Sequence, residues 1–407
     1  MGMLASLVWR NIWRNRRRSM ISIASVVFAV VLALCMRSMQ LGFYAQAVSN
    51  VVSFQTGYAQ VHASGFDADR SVDRSFAAGD SLAAMIAGTD GVTNTAPRLE
   101  VFALVAGDRL TDGAMIIGID PAAEDRLTGL ARRVTEGEYL AADDKGILLP
   151  AGLADHLSAS VGDTVVVLGQ GYHGLTAAGI FEIRGIVEFP TPDLNAGLGF
   201  MTLTSARDLT GAYGRLTTLA LMISDQNALD EIAQSLRTEL GDSFEVLTWK
   251  QMMPELVQFI QTDNASGMIM LMIVYLVIAF GILGTTLMMT MERTHEFGVL
   301  IAVGMKRSWL RWMLIMESIV LSFFGAVVGA LAAVPIIAHF HAHPLQMSGS
   351  AAEATVAFGF EPIMPFLLEP GIFVNQSLVI LAIALAASLY PVIRIAHLDP
   401  VTAMHEG

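Results

Sequence analysis

Four long apolar stretches, separated by more polar sequence, dominate the pattern along this chain of 407 residues. They cover residues 20–43, 266–291, 309–338 and 372–396. About 20 consecutive apolar residues are enough for a helix to cross the ~30 Å hydrocarbon core of a bilayer. Between the first and second stretches lies the more polar region 44–265. The pattern predicts an α-helical membrane protein with four transmembrane helices and a large α+β domain inserted between the first and second.

Within region 44–265, short segments alternate between apolar and polar residues or are continuously apolar, as strands do. Strands are predicted at 58–63, 99–106, 114–119, 161–168, 180–189, 200–204 and 219–224. Helical spacing of apolar residues predicts helices at 81–87, 151–158, 206–209 and 228–240. Because strands and helices follow one another in irregular order, an α+β domain is expected, with room for two lobes.

Local signals add three details to this region. Residues 169–179 contain four glycines between two predicted strands and are interpreted as a hairpin tip. Thr248 and Gln251 have the spacing of a capping box, which predicts a helix that starts at Thr248 and runs through Pro254 towards the second span. Ser205 and Asp208 resemble a second capping box.

The distribution of basic residues predicts the topology. Residues 1–19 combine five arginines with two tryptophans, which favours an interfacial helix lying on membrane lipid at the cytoplasmic face. A signal peptide is the alternative, but no small-residue cleavage pattern follows the apolar run. The inserted domain and an external loop at 339–371 would then be extracytoplasmic. The segment 292–308, the tail 397–407 and both termini would be cytoplasmic.

Composition agrees with a membrane protein and locates its charge. Hydrophobic residues make up 54% of the chain and charged residues 15%, whereas soluble proteins carry about 25% charged residues. Region 44–265 holds 29 acidic and 13 basic residues, so the net charge of −13 arises there. This region lacks a basic stripe, which argues against a nucleic-acid partner. A single cysteine, Cys35, allows no disulfide within the chain.

Two features of the third apolar stretch invite interpretation. Glu317 is an ionisable residue inside a predicted span, which favours an intramembrane polar site. The alternative is that Glu317 lies at the headgroup level and pairs with Arg311 or Lys306. Gly325 and Gly329 form a GxxxG pattern, which predicts close helix packing without naming the partner helix.

Three histidines follow this stretch. On a strand, His339, His341 and His343 would share a face and could hold a transition metal. No further ligand has an obvious spacing, so an exposed loop is favoured and no metal site is predicted.

The segment 292–308 is short, amphipathic and pinned between two predicted spans. Charged residues crowd its first turn, apolar residues follow at helical spacing, and two glycines punctuate it. Such an element could dock a partner on the cytoplasmic face, or it could be a connecting loop with interfacial charges. The chain has no phosphate-binding loop, no nucleophile elbow and no zinc-protease motif, so no catalytic residue is predicted. Any energy for transport would come from a partner.

Residues 292–304, E-R-T-H-E-F-G-V-L-I-A-V-G, resemble the E-R-x-x-E-[IF]-G-x-L-x-A-x-G signature of FtsX-like ABC permeases. This family includes macrolide exporters and lipoprotein-releasing permeases. Residues 10–18 are similar to its basic entry helix, 146–165 to its external core domain, and 390–403 to its C-terminal ending. The resemblance spans nearly the whole chain.

The resemblance implies that 292–308 is a coupling helix seated on a separate ATPase dimer. ATP and Mg²⁺ would be used by that ATPase, and this chain would bind no cofactor and catalyse no reaction. The residues implicated in coupling are Glu292, Arg293, Glu296, Phe297, Gly298, Leu300 and Gly304.

The resemblance also implies a second permease copy, or a related permease, and an inner-membrane location with the inserted domain in the periplasm. Family members move that domain mechanically. Lipoprotein release is the expected activity. The alternatives are export of a hydrophobic small molecule and non-transporting regulation of cell-envelope enzymes. A periplasmic carrier or adaptor is a further expected partner, although the loop at 169–179 lacks the proline of a carrier-binding hook.

Overall fold

The computed structural model describes residue 10, residues 13–14 and residues 16–189, 192–357 and 360–396. The chain divides into two compact units. The membrane unit comprises Met1–Ala45, Ile260–Gln346 and Ile363–Gly407, and the inserted unit comprises Gln46–Phe259 and Met347–Pro362. Most of the predicted interfacial helix 1–19 and all of the tail 397–407 lie outside the described residues.

The described helices are α1 (Arg16–Val51), α2 (Phe66–Asp69), α3 (Asp80–Ala87), α4 (Pro121–Thr128), α5 (Ala151–Leu157), α6 (Pro192–Gly197), α7 (Leu203–Thr210), α8 (Leu229–Leu240), α9 (Trp249–Met252), α10 (Pro254–Glu292), α11 (Thr294–Ala302), α12 (Arg307–Ala342), α13 (Ser350–Ala357) and α14 (Pro370–Ala396). The described strands are β1 (Ala59–Ala63), β2 (Phe76–Ala77), β3 (Val92–Ala106), β4 (Thr111–Ile119), β5 (Val134–Gly137), β6 (Ile147–Pro150), β7 (Thr164–Gln170), β8 (Thr176–Val187), β9 (Leu198–Thr202), β10 (Arg215–Leu216), β11 (Thr218–Ile223), β12 (Phe244–Thr248), β13 (Leu345–Gln346) and β14 (Ile363–Met364).

Within the described part of the chain, four helices are long and apolar enough to cross a membrane, so the four predicted spans are confirmed. They are α1, α10, α12 and α14. α10 contains 39 residues, which at 1.5 Å per residue is about 58 Å and exceeds the ~30 Å apolar core of a bilayer. The predicted span 266–291 covers only its apolar part. The polar turns before it belong to the helix predicted to run from Thr248 through Pro254, which the structure divides into α9, ending at Met252, and α10, beginning at Pro254.

The GxxxG pattern packs against the first span. A Cβ added at Gly325 would lie 2.6 Å from Cβ of Val26, and one added at Gly329 would lie 2.8 Å from Cβ of Val30. No side chain fits at these separations. The two glycines therefore let the backbones of α1 and α12 approach closely, as small residues do in membrane helix pairs.

Strands of the inserted unit close into a barrel. Hydrogen-bonded pairing runs β3–β4–β9–β6–β8–β7 and returns to β3. Alternate residues of these strands face inward, as the two-residue period of a strand requires. Val101, Val105, Ile116 and Val167 are among the buried residues of this interior core. β11, β1 and β12 extend the same sheet beyond β3.

The predicted hairpin tip at 169–179 is confirmed. β7 and β8 pair antiparallel from Thr164–Glu182 to Gln170–Thr176. The tip is held on its own unit: the His173 N–H donates to Oδ1 of Asp73 at 2.5 Å, and the Arg215 guanidinium lies 4.9 Å from the Tyr172 ring. The hairpin is therefore short and attached at its end.

Two predicted helix starts have different outcomes. The capping box of Thr248 and Gln251 is present. The one assigned to Ser205 is wrong: α7 begins at Leu203, and Oγ1 of Thr202 caps it by accepting from the Ser205 N–H at 3.2 Å. Both residues are hydroxyl-bearing, so the sequence signal was displaced by three positions.

Two buried polar arrangements stabilise the inserted unit. Arg98 on β3 donates to both carboxylate oxygens of Glu124 on α4, at 2.9 and 2.6 Å. His62 on β1 is buried, and its Nδ1 lies 3.1 Å from the Thr217 carbonyl oxygen and 3.2 Å from Oγ1 of Thr218. Burial lowers the pKa of His62, and the nearby Glu100 carboxylate opposes this to a smaller extent.

Candidate coupling site

A one-residue break separates the second span from the helix that follows it. α10 ends at Glu292 and α11 begins at Thr294, while Arg293 between them has φ −102° and ψ 3°. The Arg293 N–H donates to the Thr290 carbonyl at 3.2 Å, and the Arg293 carbonyl accepts from the Phe297 N–H at 3.0 Å. The chain thus changes direction at Arg293 while its backbone groups stay hydrogen-bonded, as buried backbone requires.

The far end of α11 turns on a glycine. Gly304 has φ +102°, a left-handed conformation that side chains with a Cβ rarely adopt. No heavy atom lies near a Cβ built at this position. Glycine is therefore required here by backbone conformation and not by crowding. The turn leads into α12 at Arg307.

Arg293 forms a buried ion pair with Glu317 of α12. Nη1 of Arg293 lies 3.2 Å from Oε1 and 3.0 Å from Oε2 of Glu317. Both side chains are 9% exposed. The guanidinium also lies 5.0 Å from the Phe297 ring. Charged hydrogen bonds between desolvated groups are strong, and each charge depends on the other to remain buried.

An apolar cluster completes the contact between α11 and α12. Phe297 is fully buried and packs with Leu310, Met313 and Leu314 of α12. Gly298 is buried beside it. One face of α11 is therefore attached to the start of the third span by an ion pair and by hydrophobic packing.

The opposite face of α11 is exposed. It carries Glu296, Val299 and, just past its last residue, Val303, which follow at spacings of three and four residues and so share one side of the helix, with the exposed His295 next to Glu296. Val303 is 83% exposed and Val299 is 40% exposed. Glu296 also meets Arg14, with Nη2 to Oε2 at 2.9 Å, in a pair that is exposed on both sides.

The structure divides the residues that the sequence grouped together for coupling. Glu292, Glu296 and Gly304 are exposed, Leu300 is half-buried, and Arg293, Phe297 and Gly298 are buried. His295, Val299 and Val303 share the exposed face and were not singled out. The spacing of Val299 and Val303 from Glu296 was the signal that could have found them, because helical geometry from 294 to 303 places these three residues on one side.

Glu317 has a partner that sequence reasoning did not name. Arg293 lies 24 positions away, beyond the range of a helical pair, and is brought to Glu317 by the turn at 303–306. Glu317 therefore forms an ion pair within the chain, between α12 and the residue that precedes α11.

The assumption behind the metal hypothesis is wrong. His339 and His341 lie on α12 and His343 follows its last residue, so they do not alternate on a strand. The rings of His339 and His343 stack at 5.1 Å, whereas Nδ1 of His341 lies 2.7 Å from the Phe366 carbonyl oxygen. Across the ranges that the structure describes, no group of three His, Cys, Asp or Glu side chains is arranged to hold a metal ion.

Comparison with known proteins agrees with this architecture. The FtsX-like permease C-terminal family matches residues 268–400, and the MacB-like periplasmic core domain family matches residues 19–239. Lipoprotein-releasing system transmembrane protein LolC of Xylella fastidiosa (strain 9a5c) is 23% identical over 328 residues, 77% of this chain and 78% of that protein. LolC of Neisseria meningitidis serogroup B is 23% identical over 253 residues, 60% and 61% of the two chains. The crystal structure of the periplasmic region of MacB from Actinobacillus actinomycetemcomitans is 14% identical with a TM-score of 0.35, covering 53% of this chain and 97% of that one.

The fold and these matches define a permease of the ABC transporter class, an inner-membrane protein with a periplasmic domain inserted after its first span. The chain belongs to the FtsX-like permease family and carries a MacB-like periplasmic core domain. Membership in this family implies a partner ATPase.

Proposed function

We propose that this permease couples ATP hydrolysis by a separate ATPase dimer to movement of its periplasmic domain, and that it serves lipoprotein release from the inner membrane. The observation that carries the coupling is the two-sided character of α11. One side is anchored to α12 by the Arg293–Glu317 pair and Phe297. The other side presents Glu296, Val299 and Val303 to a partner.

The chemistry of the exposed side indicates what the partner surface must offer. The Glu296 carboxylate, which already meets Arg14, favours basic or hydrogen-bond-donating groups at the edge of that surface, whereas the two valine side chains require an apolar recess. Arg293 acts indirectly: its buried guanidinium holds α11 in position against α12 and does not contact the partner. In this proposal the segment 292–308 and both termini are cytoplasmic, in keeping with the basic residues at 10–18.

Lipoprotein release is supported by the matched relatives. Those proteins are named lipoprotein-releasing system transmembrane protein LolC, and LolC of Xylella fastidiosa matches over 77% of this chain. The attached hairpin tip at Asp73 and His173 leaves no free hook at 169–179. We therefore assign carrier recruitment to a related second permease, with this chain as its partner.

Purification from the native membrane in mild detergent, followed by mass spectrometry, tests the assembly. The expected result is retention of a P-loop ATPase and a second permease. Depletion of this chain in living cells then tests the substrate, and lipoproteins should accumulate in the inner membrane. Normal lipoprotein sorting with undiminished ATP turnover would remove lipoprotein release from the proposal and favour regulation of cell-envelope enzymes. Absence of any ATPase, even with nucleotide trapped, would remove the coupling itself.

A further inference from the structure

A small cavity in the inserted unit has one charged side chain in an otherwise largely apolar wall. The cavity encloses about 190 Å³. Its walls come from α3, α7, β3 and the neighbouring strands, with Leu82, Pro97, Leu203 and Leu219 supplying apolar surface. Arg207 of α7 is the only ionisable residue among the lining side chains. The proposed coupling function does not use this cavity.

The Arg207 guanidinium has no partner. Among the described residues, no hydrogen bond or ion pair engages it, and its Nε atom is buried without an acceptor. Burial lowers the pKa of Arg207, and no neighbouring carboxylate opposes the effect. Arg98 of the same unit is fully paired with Glu124. Buried donors in folded proteins are almost always satisfied, so an exception requires an explanation.

Arg207 is held toward the cavity by the seating of its helix. Thr202 caps the start of α7. Ala206 packs closely on β4: a Cβ added at Gly118 of that strand would lie 2.3 Å from the Cβ of Ala206. Leu203 and Arg207 are four residues apart and therefore share one face of the helix. Because the Thr202 cap and the Ala206 contact both hold α7 in place, Arg207 stays at the cavity wall.

A second polar group lies in the same wall. Thr95 and Pro97 are two residues apart on β3 and face the cavity together. No hydrogen bond of the Thr95 hydroxyl is present among the described residues. The cavity therefore combines apolar surface with a guanidinium and a hydroxyl, the pattern of a site that binds an amphipathic ligand.

We propose that this cavity binds a carboxylate carried on an apolar group about the size of a phenylalanine side chain. A guanidinium matches a carboxylate by two parallel hydrogen bonds, and the leucine and proline surfaces disfavour a small hydrated anion. The surrounding region holds 29 acidic and 13 basic residues between positions 44 and 265, which disfavours anions in general. Binding therefore depends on the fit of the carboxylate to the guanidinium and of the apolar group to the wall. The ligand is either a free apolar carboxylic acid or the C-terminal residue of a polypeptide.

Calorimetric titration of the full chain in lipid nanodiscs tests this site, with empty nanodiscs as the blank. The probes are N-acetylphenylalanine, its carboxamide, and a hexapeptide ending in phenylalanine with a free carboxylate. We expect the acid to bind at least ~10-fold more tightly than the amide, since the amide lacks the charge that Arg207 recognises. If the hexapeptide binds more tightly than N-acetylphenylalanine, the natural ligand is the C-terminus of a polypeptide. Equal or weaker hexapeptide binding identifies a free acid.

Two variants complete the test. Arg207→Met keeps the side-chain length and should abolish the preference for acid over amide. Arg126→Met removes an exposed arginine from α4 of the same unit and should leave the preference intact. Equal affinity for acid and amide in the unaltered protein, no acid binding at ~10 mM, or the same preference in Arg207→Met would each overturn the proposal. The acid–amide comparison needs no variant, so it holds even where a variant fails to fold.

Discussion

Arg293 and Glu317 meet at 3.0 Å although 24 residues separate them, and each is only 9% exposed. One marks the break between the second span and α11, and the other lies inside the third span. The pair therefore joins the end of α10 to α12 at the point where α11 begins. Under the proposed function, movement applied to α11 would reach α12 through this contact and through Phe297.

Removing one member of this pair should destabilise the membrane unit strongly. Glu317→Leu leaves the Arg293 guanidinium with only the Glu296 carboxylate, 3.7 Å from Nε, and Arg293→Met removes the 3.0 Å contact of Glu317. Breaking a buried pair in this way typically costs about 3–5 kcal/mol. The double variant should cost less than the two single variants together. Thermal unfolding of the detergent-solubilised chain, arranged as a double-mutant cycle, measures the coupling.

The pair of Lys250 and Asp230 is the control, since its side chains are 44% and 72% exposed. Its cycle should give no more than about 1 kcal/mol, as exposed pairs do. Additive effects at Arg293 and Glu317, or the same coupling energy in the two cycles, would contradict a stabilising ion pair between Arg293 and Glu317.

A side chain at Gly325 should separate α1 from α12. The added Cβ would lie 2.6 Å from Cβ of Val26, so Gly325→Val should destabilise the chain by about 1–3 kcal/mol through overpacking. Gly281→Val in α10 is the control, because no atom lies within 4 Å of a Cβ there. The unfolding temperatures of Gly325→Val and Gly281→Val are compared. An equal decrease in both would contradict close packing of α12 on α1 at Gly325.

Stability of the inserted unit should fall in mild acid because of His62. Its pKa is lowered in the folded state by burial, so the unfolded chain binds the proton more readily. The contribution of neutral His62 is complete above the unfolded pKa of about 6.5 and declines as the pH falls below it, by at most ~1.4 kcal/mol per pH unit. The groups facing it are Glu100, Glu245, Arg70 and the two threonines.

Thermal unfolding of the full chain between pH 7.5 and 5 measures this effect. His62→Gln should flatten the pH dependence of the inserted unit while leaving that of the membrane unit unchanged. An identical pH profile in the variant would show that His62 is not the responsible group.

Regular hydrophobic patterning made much of this fold predictable. Seven strands, four helices of the inserted unit and four spans were predicted near their observed places, because each carries a period that the sequence shows directly. The strands that were missed are β2, β5, β6, β10, β12, β13 and β14. β6 (Ile147–Pro150) is four continuously buried residues with no alternation, and β12 (Phe244–Thr248) follows a helix with only a short turn between them.

The helical segment between the second and third spans was predictable from the sequence, but the burial of its residues was not. A motif marked residues 292–304, yet it grouped buried Arg293 and Phe297 with exposed Glu296. Only the turn at Gly304 brings α12 against α11 and so determines which face is covered. The pairing of Arg293 with Glu317 depends on that tertiary contact, which neither helical spacing nor hydropathy encodes.

The measurement that tests the central claim most directly is retention of the ATPase by a variant altered only on the exposed face of α11. Val299→Asp with Val303→Asp places two carboxylates where an apolar recess is expected, at side chains 40% and 83% exposed. Val166→Asp on β7, 43% exposed in the inserted unit, is the matched control. The account predicts at least ~10-fold less ATPase retained by the double variant, an unchanged unfolding temperature, and full retention by the control. Full retention and stimulation of the ATPase by the double variant would contradict it.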